Sequence, residues 1–323
     1  MRIGIIGTGK HGSRYARHII GDVEGLELSA ISRRSAQGRA QAKEWNCRLY
    51  KDWRMLVADD RVDAVVSVVP PAFNLAIARA CAGACAGASK PLLLEKPLAA
   101  TLADAREIAD LAETGALRLT VGQTLRYNPV IRCFKKHLSE LGPLYTVSVN
   151  QRIEPSTLAW HEDPSLAGAG VSYYTAVHVF DALRFITGRE IVRVMALTTR
   201  RHNQVLEDSL LALIEMEAGV QGVVDCSKIG LARSGRFDFV GHQGQLTGDQ
   251  IYTTCEIIHH TTRTDLAPGP AVGTIIPLLE DWRDYLAGAG SNPVTGEDGL
   301  RAVAVCDACL RSSKLGRWVD ITL

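Results

Sequence analysis

Three glycines near the start of the chain have the spacing of a phosphate-binding turn. In MRIGIIGTGKHG, Gly7, Gly9 and Gly12 form a G-x-G-x-x-G pattern directly after the apolar run at residues 3–6. The first glycine permits a tight turn, the second lets the backbone approach a pyrophosphate, and the third lets a helix, expected at residues 12–20, pack on the strand. The N–H groups at the start of such a helix bind phosphate oxygens. The pattern predicts a dinucleotide site, and the other residues assigned to this turn are Thr8, Lys10 and His11.

The next candidate position lies about 20 residues beyond these glycines. An Asp or Glu there would select NAD by accepting a hydrogen bond from the 2′-hydroxyl of the ribose. This chain has Ser32, Arg33 and Arg34 instead. Two guanidinium groups and a hydroxyl suit a 2′-phosphate, so the sequence favours NADP, with NAD still possible. The alternative is a solvated arginine pair after a strand.

A third candidate is the tripeptide Glu95-Lys96-Pro97, which follows the apolar run at residues 92–94. If that run is a parallel strand, the tripeptide lies at its carboxyl end, where open α/β sheets bind ligands. Glu95 and Lys96 are therefore assigned to the cofactor site. A lysine before proline is also typical of a surface turn, and position alone does not decide between the two.

Composition favours a small-molecule partner. The 323 residues are 46% hydrophobic and 22% charged, with a formal charge of +1, so there is no basic excess to favour nucleic acid or an anionic membrane. No uncharged apolar stretch reaches the roughly 18 to 20 residues of a membrane span, and the chain begins in a strand pattern rather than a signal peptide. We expect a cytoplasmic protein. The eight cysteines predict reduced thiols, and the C-x-x-C at Cys306 and Cys309 lies in an apolar helical pattern, so no metal is expected.

Strand-like and helix-like runs alternate through the first part of the chain and predict a doubly wound parallel sheet over residues 1–122. The six strand patterns are RIGIIG, LELSAIS, RLY, AVVSVV, PLLLEK and LRLTVG. Helices are expected between them, and one begins with Thr101 as N-cap and Asp104 in its first turn. The near-tandem ACAGACAGAS at residues 80–89 is interpreted as a helix extension or a surface loop.

Longer β patterns dominate residues 123–323 and predict an α+β domain with a large open antiparallel or mixed sheet. Helices are expected at residues 171–188 and 297–316. A broad sheet with one face uncovered by helices exposes apolar area, which favours a homo-oligomer.

Four segments in order, GTGKHG, LLLEKPLA, AGAGVSYYTAVHVFDALRFITG and NPVTGEDGLRAV, resemble the Gfo/Idh/MocA oxidoreductase family over essentially the whole chain. The resemblance implies an N-terminal Rossmann domain, a C-terminal sheet domain that commonly mediates oligomerisation, and pyridine-dinucleotide redox chemistry on a sugar, cyclitol or related polyol. It also implies that Lys96 lies beside the nicotinamide and the substrate hydroxyl.

The second family motif is Asp-x-x-x-His followed three residues later by another Asp. Here His178 and Asp181 match, whereas Tyr174 replaces the earlier aspartate. Their spacings of four and three place all three on one helical face. The missing carboxylate would have favoured the charged histidine and fixed its orientation. Either Tyr174 moves the proton itself, with nearby Lys96 lowering its pKa, or catalysis is slow or lost; the cluster could also be a packed domain interface.

Weaker candidates lie in two loops, and each is a substrate contact or a loop anchor. QTLRYNP, after the sixth strand, matches a family segment near the active cleft, and in AWHEDPSLAG an aromatic face could stack on a sugar ring. The residues concerned are Arg126, Tyr127, Asn128, Trp160, His161 and Asp163, and Asp181 is added as a substrate contact.

The leading hypothesis is a reversible NADP(H)-dependent alcohol/carbonyl oxidoreductase, in which Lys96 polarises the substrate oxygen and His178 or Tyr174 moves the hydroxyl proton. Two alternatives stay open. One is a glycoside hydrolase that uses tightly bound NAD for transient oxidation. The other is a dinucleotide-binding sensor or partner protein that has lost catalysis.

Overall fold

The computed structural model describes residues 1–83, 89–271 and 273–323. The chain divides into two units, Met1–Gln123 with Gly273–Leu300, and Thr124–Val272 with Arg301–Leu323. The centre of the ACAGACAGAS segment, residues 84–88, lies outside the described residues, and so does the interpretation placed on it.

The first unit contains the predicted parallel sheet. Its strands are β1 (Arg2–Ile6), β2 (Glu27–Ser32), β3 (Arg48–Tyr50), β4 (Ala64–Ser67), β5 (Leu92–Glu95) and β6 (Leu119–Gly122). They lie in the spatial order β3-β2-β1-β4-β5-β6. Because β4, β5 and β6 are buried along their whole length, their sequences are nearly continuous apolar runs, as a sheet covered on both faces requires. The predicted doubly wound fold is confirmed.

The second unit is built on a nine-stranded mixed sheet. Its strands are β7 (Leu144–Arg152), β8 (Ile191–Thr199), β9 (Ser209–Met216), β10 (Gln221–Ser227), β11 (Ser234–Gly241), β12 (Gly244–Asp249), β13 (Thr254–His259), β14 (Thr262–Asp265) and β15 (Val319–Asp320). They lie in the order β14-β13-β12-β11-β7-β10-β9-β8-β15. β7 and β10 pair in parallel, and the other neighbours pair antiparallel. Along β9, buried and more exposed side chains alternate, as in a sheet with one open face.

Ten α-helices accompany the two sheets in the described part of the chain. They are α1 (Gly12–Gly21), α2 (Gln37–Glu44), α3 (Trp53–Ala58), α4 (Asn74–Ala82), α5 (Leu102–Glu113), α6 (Pro129–His137), α7 (Pro164–Ala167), α8 (Val177–Thr187), α9 (Ile275–Leu286) and α10 (Gly296–Leu315). A π-helical turn, Ser172–Ala176, leads into α8. The predicted cap of α5 is present, since Thr101 Oγ1 accepts a hydrogen bond from the Asp104 N–H at 3.1 Å.

The segment from 273 to 300 belongs to the first unit, although the sequence boundary at 122/123 assigns it to the second. Three hydrogen bonds join it to β6. The Val121 N–H donates to the Val294 carbonyl at 3.0 Å, the Asn292 amide donates to the Leu119 carbonyl at 2.6 Å, and Thr120 Oγ1 donates to Asn292 Oδ1 at 2.8 Å. Trp282 of α9 is fully buried. Sequence patterns do not reveal this return, because Asn292 and Leu119 are 173 residues apart.

Two further observations concern the described residues alone. No helix among them has the length and apolar character needed to cross a membrane. Their seven cysteines are free thiols, and Cys85 lies outside the described ranges.

Candidate functional site

The glycine turn after β1 has the geometry that the motif predicts. Gly7 has φ +88°, and a Cβ there would lie 2.5 Å from the Val68 carbonyl oxygen. A Cβ on Gly12 would lie 1.9 Å from the Gly7 carbonyl oxygen. Side chains at either position would collide with backbone, so packing of the turn itself requires both glycines.

Gly9 differs from the other two glycines. A Cβ added to Gly9 would meet no atom within 4 Å in the described part of the chain. Folding therefore does not demand this glycine, whereas close approach of a pyrophosphate to the backbone would. The turn fits a bound dinucleotide.

A polar network supports the turn from the side of α2. The Thr8 side chain is fully buried, and its Oγ1 donates to Gln41 Oε1 at 2.7 Å. The Gln41 amide donates in turn to the Thr8 carbonyl at 3.1 Å and to Ser13 Oγ at 3.0 Å. Sequence reasoning missed Gln41, because a glutamine on a polar helix carries no motif. Lys10, by contrast, is exposed.

The three residues at the end of β2 have different surroundings. Ser32 is buried, Arg33 is half-buried and Arg34 is exposed. The Arg33 guanidinium donates to the Thr8 carbonyl, to Ser35 Oγ at 2.7 Å and to the side-chain oxygens of two glutamines, Gln37 and Gln41. All four acceptors are neutral, so these contacts orient Arg33 and leave its charge uncompensated.

Glu95, at the end of β5, is the centre of a buried network. Its Oε1 accepts a hydrogen bond from the Tyr15 hydroxyl at 2.5 Å and lies 3.0 Å from His11 Nε2, while Oε2 accepts from the Lys96 N–H at 3.1 Å. Burial raises the pKa of Glu95, but the hydrogen bonds from His11 and Tyr15 and the charges of His11 and Lys96 outweigh it, so the pKa is lowered. The carboxylate therefore holds His11 and the Lys96 backbone in place.

Lys96 follows Glu95 directly and precedes a cis peptide bond to Pro97. Its side chain is half-buried. Burial lowers the pKa of the Lys96 ammonium to about 8, and the charge of Glu95 acts in the opposite direction. A lysine with such a pKa changes protonation state in a range where enzymes work, which suits it to hold or move a proton.

Two polar side chains at the carboxyl edge of the same sheet were not predicted as site residues from the sequence. Ser67 ends β4 and Gln123 follows β6, and both are 1% exposed. Ser67 Oγ and both polar atoms of the Gln123 amide have no hydrogen-bond partner within the described ranges. Unsatisfied buried groups are uncommon, so both are candidate ligand contacts.

In the second unit, Tyr174 lies in the π-helical turn and His178 in the first turn of α8. Glu207 holds the start of this segment, since its carboxylate accepts hydrogen bonds from the Gly170 N–H at 2.9 Å and the Ser172 N–H at 3.0 Å. A π turn contains more residues than an α turn, so the shared face predicted for 174, 178 and 181 is altered. Tyr174 and His178 are half-buried, whereas Asp181 is fully buried.

The expected lowering of the Tyr174 pKa is wrong. Burial raises the pKa of the Tyr174 phenol, and Glu154 raises it further, while Arg233 acts in the opposite direction. The ring lies 4.4 Å from the ring of His161, which in turn lies 3.9 Å from that of Trp160. Tyr174 thus belongs to an aromatic cluster and is a neutral hydrogen-bonding group.

Asp181 and Arg126 form a buried ion pair. Arg126 Nε donates to Asp181 Oδ2 at 2.8 Å and its Nη2 donates to Oδ1 at 2.6 Å. The Asp181 side chain is 0% exposed, and the Arg126 side chain is 9% exposed. This charge-assisted pair gives both residues a structural role, and the substrate contacts expected from the sequence stay a prediction.

The remaining loop candidates are mostly occupied by local contacts. Asn128 caps α6, with its Oδ1 accepting from the Val130 N–H at 2.9 Å, and its amide donates to Gln250. Asp163 caps α7 through the Ser165 N–H at 2.9 Å. Tyr127 is buried, whereas Trp160 is half-buried.

Comparison with known proteins identifies the family. Residues 1–123 match the model for the oxidoreductase family with NAD-binding Rossmann fold, and residues 139–247 match the Gfo/Idh/MocA C-terminal domain. The chain is 31% identical to inositol 2-dehydrogenase 1 of Saccharopolyspora erythraea, an alignment that covers 100% of this chain and 97% of that protein. The chain belongs to the Gfo/Idh/MocA family. The resemblance stated from the sequence is confirmed, and this Gfo/Idh/MocA protein is an NAD(P)-dependent oxidoreductase.

Other similar proteins agree with this assignment. D-apiose dehydrogenase of Paraburkholderia graminis is 26% identical over 96% of this Gfo/Idh/MocA chain and 87% of the relative. A levoglucosan dehydrogenase structure, in complex with NADH and levoglucosan, superposes with a TM-score of 0.87 at 21% identity, covering 100% of both chains. At that identity the structural likeness establishes the fold.

Proposed function

We propose that this protein is an NADP(H)-dependent oxidoreductase that interconverts an alcohol and a carbonyl on a sugar, cyclitol or related polyol. The observation that carries the proposal is the open position at Gly9, in a turn that connects β1 to α1 as a dinucleotide site requires. Relatives named for inositol and apiose oxidation support the substrate class.

The cofactor residues are the turn from Gly7 to Gly12 together with Ser32, Arg33 and Arg34. The bound dinucleotide supplies the group that accepts or donates hydride. NADP is proposed over NAD because Arg33 is oriented by neutral acceptors and Arg34 is exposed, which leaves two cationic groups for a 2′-phosphate.

Lys96 and His178 are the proposed catalytic residues. The Lys96 ammonium donates a hydrogen bond to the substrate oxygen, and Glu95 fixes its backbone. His178 takes the hydroxyl proton in the oxidation direction and returns it in the reduction direction. Tyr174 contributes as a neutral hydrogen-bond donor, and Trp160 offers an aromatic surface to a sugar ring.

The cofactor proposal is tested by titrating the purified protein with NADPH and NADH. We expect the wild type to bind NADPH more tightly than NADH. Combining Arg33→Ala with Arg34→Ala should reduce the affinity for NADPH about 10- to 100-fold and leave the affinity for NADH unchanged. Arg39→Ala, another exposed arginine on the neighbouring helix α2, is the matched control. Tighter binding of NADH by the wild type would overturn the choice of NADP.

The chemistry is tested on a panel of inositols, aldoses and anhydrosugars with NADP⁺ as oxidant. The Lys96→Met variant should lose about 10²- to 10⁴-fold in turnover of any substrate identified, since it removes the donor to the reacting oxygen. Full turnover by that variant would remove Lys96 from the mechanism. Tight NADPH binding without turnover across the panel would favour the sensor alternative.

We also propose self-association through the open face of the nine-stranded sheet. Leu197 and Leu211 lie opposite each other on β8 and β9, and Leu213 and Val223 lie opposite each other on β9 and β10. All four are exposed hydrophobic side chains, and such a contiguous patch is typical of an interface. A cytoplasmic location stays a prediction.

A further inference from the structure

Lys228 is a buried lysine of the second unit for which the proposed mechanism has no role. It follows β10 directly and is 4% exposed. Its backbone N–H donates a hydrogen bond to the Asp208 carbonyl at 2.9 Å. Its Nζ lies 5.7 Å from the centroid of the Tyr174 ring. Lysine is rarely buried unless it is paired, so its position needs a physical reason.

The neighbouring carboxylates do not supply that reason. Glu207, Asp208 and Glu162 act to raise the pKa of Lys228, which burial lowers, yet none of the three forms an ion pair with it within the described residues. Glu207 and Asp208 already accept hydrogen bonds from backbone N–H groups. A largely buried ammonium without a direct counterion is costly. A negatively charged ligand group would offset that cost.

On the Tyr174 side, the ammonium faces aromatic rings, and the nearest carboxylate there is paired with an arginine. Tyr174 contacts the His161 ring, and the nearby Glu154 carboxylate accepts a hydrogen bond from Arg233 Nε at 2.7 Å. The cluster therefore combines a hydrogen-bonding phenol and ring surfaces with one buried cation. Polyols bind to such ring surfaces and polar groups, and the cation adds a requirement for one anionic group.

We propose that Lys228 binds a carboxylate of the substrate, which makes the substrate a sugar acid or another polyol carboxylate. This inference rests on the proposed function and names the substrate class more closely. One ammonium matches the single charge of a carboxylate, whereas phosphate groups are commonly bound by several donors or by arginine forks.

The experiment compares paired substrates with NADP⁺ and the full-length protein. D-gluconate is compared with D-glucitol and D-glucuronate with D-glucose, for the wild type, Lys228→Met and Lys228→Arg. The wild type should favour the acid of each pair in kcat/KM. Lys228→Met should reduce that preference at least about 30-fold, mainly through KM, and Lys228→Arg should retain most of it. Lys135→Met is the matched control, because Lys135 also lies over a ring, that of Phe185, but is exposed.

A second measurement, of the thermal unfolding midpoint, tests binding of the acid independently of turnover. Without cofactor, D-gluconate should raise the thermal unfolding midpoint of the wild type and not that of Lys228→Met, even if no substrate is turned over. Lys228→Met without ligand should be at least as stable as the wild type, because a buried charge is removed. Turnover of the neutral polyols with no response to either acid would overturn the inference and leave the proposed function standing. Binding of D-glucose 6-phosphate in preference to both acids would overturn it as well.

Discussion

Glu95 shows how single residues of the candidate site reach their working state. A buried carboxylate would ordinarily be protonated, but Tyr15, His11 and the Lys96 N–H provide three donors. The negative charge is thereby kept near enough to the Lys96 ammonium to act on its pKa. The two pKa values move in the same direction for different reasons: Glu95 is lowered by its partners, and Lys96 is lowered by burial.

The Lys96 pKa gives a pH prediction. A lowered pKa means that the ammonium loses its proton as the pH rises through about 8, well below the range for an exposed lysine. If the ammonium donates to the substrate oxygen, kcat/KM for carbonyl reduction should fall above pH about 8. Lys96→Arg, which keeps its charge, should retain partial activity and move this fall to higher pH. An unchanged pH profile in Lys96→Arg would contradict the assignment.

The buried Arg126–Asp181 pair gives a stability prediction. Asp181→Asn leaves the guanidinium buried without its counterion, so the free energy of unfolding should fall by about 3–5 kcal/mol in urea titrations. The control is Glu107→Gln, which breaks the exposed ion pair with Arg79 and should leave the unfolding midpoint nearly unchanged. Equal effects of the two substitutions would show that burial of the Asp181 pair does not matter.

At the scale of elements, two glycines of the turn between β1 and α1 should respond differently to substitution, one in stability and the other in cofactor affinity. Gly12→Ala would drive a Cβ into the Gly7 carbonyl, so this variant should be strongly destabilised. Gly9→Ala adds a methyl group where there is open space, so its unfolding midpoint should stay close to that of the wild type. Its NADPH affinity should nevertheless fall at least about tenfold, because the methyl group keeps the pyrophosphate from the backbone. Unchanged NADPH binding by Gly9→Ala would place the cofactor elsewhere.

The elements that were predictable are those whose signal is local. β4, β5 and β6 follow from nearly continuous apolar runs, and the cap of α5 follows from Thr101 and Asp104, three residues apart. The π-helical turn at 172–176 was not predicted. Its support comes from Glu207, 37 residues after Gly170, and a helical pattern in sequence does not distinguish a π turn from an α turn.

In the candidate site too, the residues within local motifs were predictable and those placed by long-range packing were not. Gly9 is predicted from the spacing of the glycines, and Lys96 from its place after an apolar run together with the family resemblance. Lys228 was not, since its burial beside Tyr174 depends on long-range packing between β10 and the π-helical turn. The pairing of Arg126 with Asp181 was not predicted either, because sequence gives no sign that two charged residues 55 positions apart pair with each other.

For the whole molecule, the chain order differs from the division into units. The chain leaves the first unit after Gln123, returns to it for Gly273–Leu300, and ends in the second. α10 therefore begins with residues of one unit and continues with residues of the other. A fragment that ends near residue 123 would lack α9, and with it the buried Trp282, so functional tests require the full chain.

Self-association is the prediction that belongs to this scale. Leu211 and Leu213 are 49% and 47% exposed on β9, within the open face of the nine-stranded sheet. Leu211→Lys combined with Leu213→Lys would place two like charges in a contact between copies, where burying them without partners costs several kcal/mol. In sedimentation equilibrium, the wild type should have at least twice the chain mass of 35.0 kDa, and the double variant should approach that mass.

The control for this surface is a pair of equally exposed hydrophobic residues in the first unit. Ile20 and Met55 are 51% and 59% exposed, so Ile20→Lys combined with Met55→Lys makes the same change of charge away from the open sheet. This control should sediment like the wild type. A wild type that sediments at the mass of one chain, or a Leu211/Leu213 variant that keeps the wild-type mass, would show that the open face of the sheet is not the interface. Loss of assembly in the control as well would point to charge in general rather than to this face.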